Sequence, residues 1–349
     1  MKRTLVDLSP IIAALGDPDE PLTAAMIYNL SEVSGENLER LALAWPTYPV
    51  ERRRQLVRRL GETSEMNFEV NFDAVNKLAL EDADAEVRVA AIEGLWENES
   101  VTHMRHLTAM AVSDSATAVR AAAVGALGRF ILLGEYGKLP ERDARLAQDT
   151  ALDVFNNADE DLDVRRRALE AVSNCGREGV AELIEEAYME PSIKMRASAL
   201  FAMGRSCDLR WRTIVMDELG SEEPEILYEA ARAAGELELR DAVRHLGNLL
   251  VHEDREVQEM AVWALGEIGG KDARRLLEDA ADTAPDAAFA EAVDDALNMA
   301  YLIGGDLPFD MFHFDDFDGD DFDGDDFDDA FGNGYHGDLT DDLEDDPDW

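Results

Sequence analysis

DADAEVRVAAIEGLW at residues 82–96 returns as DSATAVRAAAVGALG at 114–128, DEDLDVRRRALEAVS at 159–173 and EPSIKMRASALFAMG at 190–204. Two further copies are SEEPEILYEAARAAG (221–235) and HEDREVQEMAVWALG (252–266). Taking the apolar residue ahead of the arginine as position zero gives Val87, Val119, Val164, Met195, Ile226 and Val257, spaced 32, 45, 31, 31 and 31 residues apart. Self-similarity at such a period marks a stack of supersecondary units, each too small to bury its own apolar face. A weaker copy begins at Phe289 and a degenerate one near Arg52.

Positions 0, +4, +7 and +8 fall on one stripe of an α-helix. Position +4 is alanine in all six copies (Ala91, Ala123, Ala168, Ala199, Ala230, Ala261), and +7 is glycine or alanine. Such small residues let neighbouring helices approach closely. Asp84, Asp161 and Asp254 stand three residues before position zero, where a side-chain oxygen caps a helix start. A second apolar-periodic segment precedes each copy, as in FDAVNKLAL (72–80), VAELIEEAY (180–188) and AVRHLGNLL (242–250). The unit is therefore a helical hairpin. Position +1 is Arg88, Arg120, Arg165 and Arg196, then Leu227 and Gln258, so an arginine ladder between repeats is expected to stop there and leave more apolar packing beyond. The 45-residue spacing implies an insertion, RFILLGEYGKLPER (129–142), expected to lengthen one connection between helices.

These D-x-x-V-R-x-x-A-x-x-A-L-G runs resemble HEAT repeats, and more closely the short bacterial HEAT-like type also found in phycobilin lyases. The resemblance covers 68–300 and, more faintly, 20–67. It implies an all-α, right-handed α-α superhelical solenoid of helical hairpins. The expected organisation is an N-terminal helical cap with a degenerate repeat (1–67), the repeat solenoid (68–305) and a disordered acidic tail (306–349).

The formal net charge is −45 over 349 residues. Of the 77 Asp and Glu, 19 lie in 306–349, where there is no Lys or Arg; the remaining 58 face 32 basic residues, a net −26 for the body. Such a field repels phosphates and anionic membranes and draws basic partners. The two cysteines, Cys175 and Cys207, have no zinc or redox spacing and are expected to be small buried residues near the ends of equivalent helices. Asp7 and Pro10 interrupt the N-terminal apolar run, so no signal peptide is expected. No unbroken apolar run of 18 residues occurs, so no membrane span is expected either. The expectation is a cytoplasmic monomer.

Catalytic chemistry finds little support. His103 and His106 could share a metal across a helical turn, but no third ligand is visible. His252–Glu253 is a single His-Glu pair, whereas HEAT-like di-iron hydroxylases of the deoxyhypusine type need several at repeating positions. HEAT-like DNA glycosylases need a basic groove, and this body is acidic. No phosphate loop or nucleophile constellation appears. No catalytic residue, metal or cofactor is therefore assigned. A phycobilin-lyase-like protein that attaches a chromophore is the alternative implied by the resemblance, and an acidic-tail chaperone for basic proteins is another.

Binding is the remaining reading. Positions +2 and +6 lie opposite the core stripe and, in such solenoids, line the groove. They hold Phe201, Arg232 and Trp263 at +6 and Tyr228 at +2, a candidate protein-binding patch, unless these rings only cover the seams between repeats. The tail adds DDFDGDDFDGDDFDD (315–329), with Phe317, Phe322 and Phe327 at every fifth position, and ends on Trp349. Counting back from Gly319 or Gly324 puts Phe314 or Gly319 at the first calcium-loop position, so the EF-hand template fails. Acidic-hydrophobic alternation instead suits a disordered recognition segment. One basic cluster, Arg52, Arg53, Arg54, Arg58 and Arg59, either pairs with nearby acids or receives that tail. The expectation is a scaffold that binds protein partners with a basic surface through its groove and tail, without nucleic acid.

Overall fold

The computed structural model describes residues 7–304, which lie in one compact unit. The expected tail, with Phe317, Phe322, Phe327 and Trp349, lies outside the described residues. Those described are helical, with no strand among them. The N-terminal part holds α1 (Ser9–Leu15), α2 (Ala24–Tyr28), α3 (Gly35–Ala44) and α4 (Val50–Met66). Hairpins follow: α5 (Asp73–Ala79) with α6 (Ala85–Glu93), α7 (Val101–Ser113) with α8 (Thr117–Glu135), and α9 (Glu141–Asn156) with α10 (Leu162–Val172). Then come α11 (Val180–Tyr188) with α12 (Ile193–Arg205), α13 (Arg212–Glu218) with α14 (Pro224–Glu236), α15 (Val243–Leu249) with α16 (Arg255–Ile268), and α17 (Gly270–Asp282) with α18 (Ala287–Gly304). Each second helix packs on the second helix of the next hairpin, in an unbroken series from α4 to α18.

The repeat positions explain this stack. Position zero and the +4 alanine are buried in all six copies. The apolar +8 residue is equally enclosed, for example Leu127 and Met203 at 0% exposure; burying each such side chain contributes about 1.5–3 kcal/mol. The consensus glycine at +9 has a mate at +7 of the following repeat. A Cβ on Gly128 meets the Ala171 Cα at 3.1 Å, one on Gly204 the Ala233 Cα at 2.8 Å, one on Gly235 the Ala264 Cα at 3.0 Å, and one on Gly266 the Ala296 Cα at 3.0 Å. Backbone-to-backbone approach at these four seams is what the Gly and Ala positions encode. Ala296 is seven residues after buried Phe289, so the weak final copy keeps the register.

The three aspartates cap as expected. Asp84 accepts from the Val87 amide, Asp161 from Asp163 and Asp254 from Glu256. The arginine ladder also forms, with Arg88 bidentate on Asp114 (2.7 and 2.9 Å) and Arg120 on Glu160 (2.7 and 3.0 Å). Arg165 reaches Glu190 at 3.0 Å and Arg196 reaches Glu218 at 2.6 Å. The same arginines turn inward, Arg88 to the Asp82 carbonyl and Arg120 to the Asp114 carbonyl. Asp114 thus takes one arginine on its side chain and the next on its carbonyl. Beyond Arg196 the cross-repeat half is absent: Leu227 is buried, while Gln258 donates only to the His252 carbonyl within its own repeat.

Two expectations need correction. The insertion lengthens helices rather than a connection: α8 and α9 run to 19 and 16 residues, and only 136–140 separate them. Phe130 and Ile131, inside the insertion, are fully buried, so it enlarges the core. Secondly, Cys175 is buried but Cys207 is exposed. Cys207 lies twelve residues after position zero with φ +52°, and Glu238 (+50°) and Gly269 (+61°) also have positive φ at that place in the next two units. Helix α8 is long and apolar enough by length and composition to cross a membrane (mean hydropathy 1.4), although Arg120 and Arg129 interrupt it. Helices α6, α7, α9 and α10 pack against it and bury part of its apolar surface.

Candidate functional site

The side of the second helices that faces away from the first helices carries positions +2, +3 and +6. Along α6 to α12 it opens into a cavity of about 850 Å³. Its floor is α8, where Ala118, Ala121, Ala122 and Gly125 stand together, whereas the next repeat has Asp163, Arg166, Arg167 and Glu170 at those positions. Trp96, half exposed, and Phe201 line it, with Arg129, Arg166, Arg167 and Arg205 supplying charge. Gly125 is not a packing glycine: the nearest atom to a Cβ there is Arg167 Cβ at 3.9 Å.

Most of this charge is spent within the protein. Arg166 pairs with Asp163 (3.1 Å) and donates to Ser198 Oγ (3.0 Å), and that hydroxyl donates to Glu170 (2.6 Å). Arg167 pairs with Glu170 at 2.5 Å, and Arg205 reaches Glu236 at 3.5 Å. Arg129 differs. Its Nη2 donates to the Asn98 carbonyl at 2.7 Å and its plane lies over Phe130 at 4.9 Å, but its Nε is buried without an acceptor. His103, buried edge-on against Phe130, likewise has an unpartnered Nδ1. Burial, reinforced by the Arg129 charge, pushes its pKa down to about 4, so the ring is neutral at pH 7.

Residues 213–298 match the family of HEAT repeats. That segment carries HEAT repeats. Comparison with curated protein sequences gives no match. Among solved structures, YibA of E. coli aligns at 16% identity and TM-score 0.41, covering 68% of this chain and 96% of that one. Importin beta aligns at 15% identity and TM-score 0.43 over 83% of this chain and 44% of its own. Human deoxyhypusine hydroxylase, solved with glycerol, aligns at 20% identity and TM-score 0.30 over 84% and 96%.

Along the stack of hairpins the aromatic patch divides. Arg232 lies over the Phe201 ring at 4.4 Å, and Trp263 reaches back over Gly235, so each +6 side chain leans on the preceding repeat. Phe201 belongs to the large cavity. Tyr228 lines a separate one of about 200 Å³ with Arg166 and Lys194, and Trp263 lines neither. The basic cluster is engaged internally. Arg52, 5% exposed, donates to the Leu15 and Glu20 carbonyls (2.8 and 2.7 Å). Arg53 binds Asp82 at 2.7 Å, Arg54 binds Asp84 at 2.7 Å, Arg58 binds Glu86 at 3.0 Å and Arg59 binds Glu62 at 2.9 Å. The Arg54 contact holds Asp84 down at about 2.

His103 and His106 do not converge, since His106 pairs with Glu81 at the surface (3.1 Å). Among the described residues no group of three or more His, Cys, Asp or Glu side chains stands close enough to hold a metal. Sequence reasoning missed Trp96, Gly125 and Arg129 as one site. The available signal was departure from the consensus: Trp96 holds the +9 place that glycine takes in four other copies.

Proposed function

We propose that this chain is a non-enzymatic scaffold that holds partner proteins on the outward face of its second helices. The observation that carries the reading is the cavity over Gly125, an open, partly apolar recess on that face whose glycine floor no neighbour requires. An open glycine inside a helix costs about 0.5–1 kcal/mol relative to alanine; room for a bound group gives it a use. Phe201, Arg232 and Trp263 continue the face towards α16, and Tyr228 borders its second recess. The body charge favours partners with basic surfaces. The acidic Phe-bearing stretch 315–329 is a second binding segment in this reading, on its composition alone.

The test is capture from native lysate by the whole chain, by a chain lacking 306–349, and by a chain with Phe201, Tyr228 and Trp263 changed to Ser. The expected result is loss of partners in the triple variant with little change in melting temperature. Undiminished capture in both altered chains contradicts the reading.

A further inference from the structure

We propose that the cavity over Gly125 takes an acidic side chain with its apolar neighbour from an extended segment of a partner protein, anchored on Arg129 and enclosed by Trp96 and Phe201. The inference rests on the scaffold reading and names what the recess recognises.

Charge complementarity decides the occupant. The other three arginines lining the cavity each have a carboxylate within 4 Å, namely Asp163, Glu170 and Glu236. Arg129 has none among the described residues, and only its Nη2 donates a hydrogen bond, to the Asn98 and Leu95 carbonyls. A partly buried guanidinium without a counter-ion is costly, and an incoming carboxylate repays that cost through a charge-assisted bond. Nη1 is the donor left over for it. His103, 4% exposed with an unpartnered Nδ1, stands on the same wall as a second unmet polar group. An overall acidic protein thus presents, in one recess, a cation with no carboxylate in direct contact; Glu99, Asp73 and Glu97 act on it only from a distance.

The apolar half follows from the walls and the floor. Trp96 is 51% exposed although the equivalent place in other repeats is a seam glycine, and Phe201 faces it across α8 and α10. About 850 Å³ is more than one side chain fills and suits a short stretch of peptide. Glu93, exposed on the lining, offers a carboxylate to a basic residue flanking the acidic one. A partner can therefore be basic overall and still insert an acidic-apolar pair here.

The probes are capped tetrapeptides Ala-Asp-Phe-Ala, Ala-Asn-Phe-Ala and Ala-Lys-Phe-Ala, titrated into the full chain while the Trp96 indole N–H is followed by NMR. The Asp peptide is expected to shift that signal and to bind about tenfold more tightly than the Asn peptide. Arg129→Gln should remove the preference, and Gly125→Leu should block the Asp peptide by filling the floor. Equal binding of the three peptides, or binding unchanged in Arg129→Gln, overturns the proposal. If the Asp peptide fails while capture of native partners survives both variants, the cavity assignment falls and the scaffold reading stands. Capture that also survives the groove substitutions and removal of 306–349 overturns both.

Discussion

Glycine plays two opposite parts in this molecule, and single substitutions separate them. At Gly204 a Cβ would lie 2.8 Å from the Ala233 Cα and 2.7 Å from Glu236, so Gly204→Ala forces the α12–α14 seam apart. Overpacking of this kind costs about 1–3 kcal/mol. At Gly125 the Cβ makes only ordinary contact, with Arg167 Cβ at 3.9 Å, so Gly125→Ala should stabilise by about 0.5–1 kcal/mol through helix propensity. Urea unfolding of the two variants checks the contrast; a Gly204→Ala protein as stable as the parent removes the seam account. Glu229 offers a test in pH. Burial, only partly offset by Arg232, raises its carboxyl to about 7, and its Oε2 has no partner. The folded chain therefore holds more protons than the unfolded one between about 4.5 and 7. The Glu229 contribution to stability is at its best below that window and is lost as pH rises through 7. Glu229→Gln should raise the melting temperature at pH 8 by several degrees and change it little at pH 4.5; equal effects at both pH values contradict this.

At the scale of the helix and its turn, the ladder and the left-handed exits carry the argument. Arg88 and Asp114 are 12% and 11% exposed, so removing one partner leaves a largely desolvated charge. Asp114→Ala should destabilise by about 2–3 kcal/mol, whereas truncating the exposed Arg58–Glu86 pair should cost under about 1 kcal/mol. Thermal melts of both variants settle the order. Cys207 and Glu238 have positive φ at the place where the next repeat has Gly269. A non-glycine residue there costs roughly 1–2 kcal/mol, so Glu238→Gly should raise the melting temperature; a lower one contradicts the turn assignment. The helices themselves were legible because position zero, the +4 alanine and the capping aspartate recur in phase. The insertion was misread because its gain in length is divided between α8 and α9. Spacing reports how many residues intervene, not whether they prolong a helix or a loop. Helix α8 is apolar enough to span a membrane by composition because one side packs on neighbouring helices and the cavity side is lined by alanine and glycine, and hydropathy does not register what covers a residue.

For the whole array, the close Gly–Ala seams fix the register between second helices, and the same helices turn their remaining face outward. The repeat architecture could be read from the sequence because it is written several times. The cavity is written once, in the places where Trp96, Gly125 and Arg129 depart from the repeat, and a periodic reading averages such departures away. Phe201, Tyr228 and Trp263 do not share one recess, because successive +6 side chains fold back over their predecessors. The most direct measurement is site-specific photo-crosslinking in native lysate. A benzophenone side chain is placed at Trp96 or Phe201 on the outward face, and at exposed Val112 on α7 as the comparison. A scaffold that works through its second helices gives the same partner adduct from Trp96 and Phe201 and none from Val112. Equal adducts from Val112, or none from the two cavity positions, would contradict it.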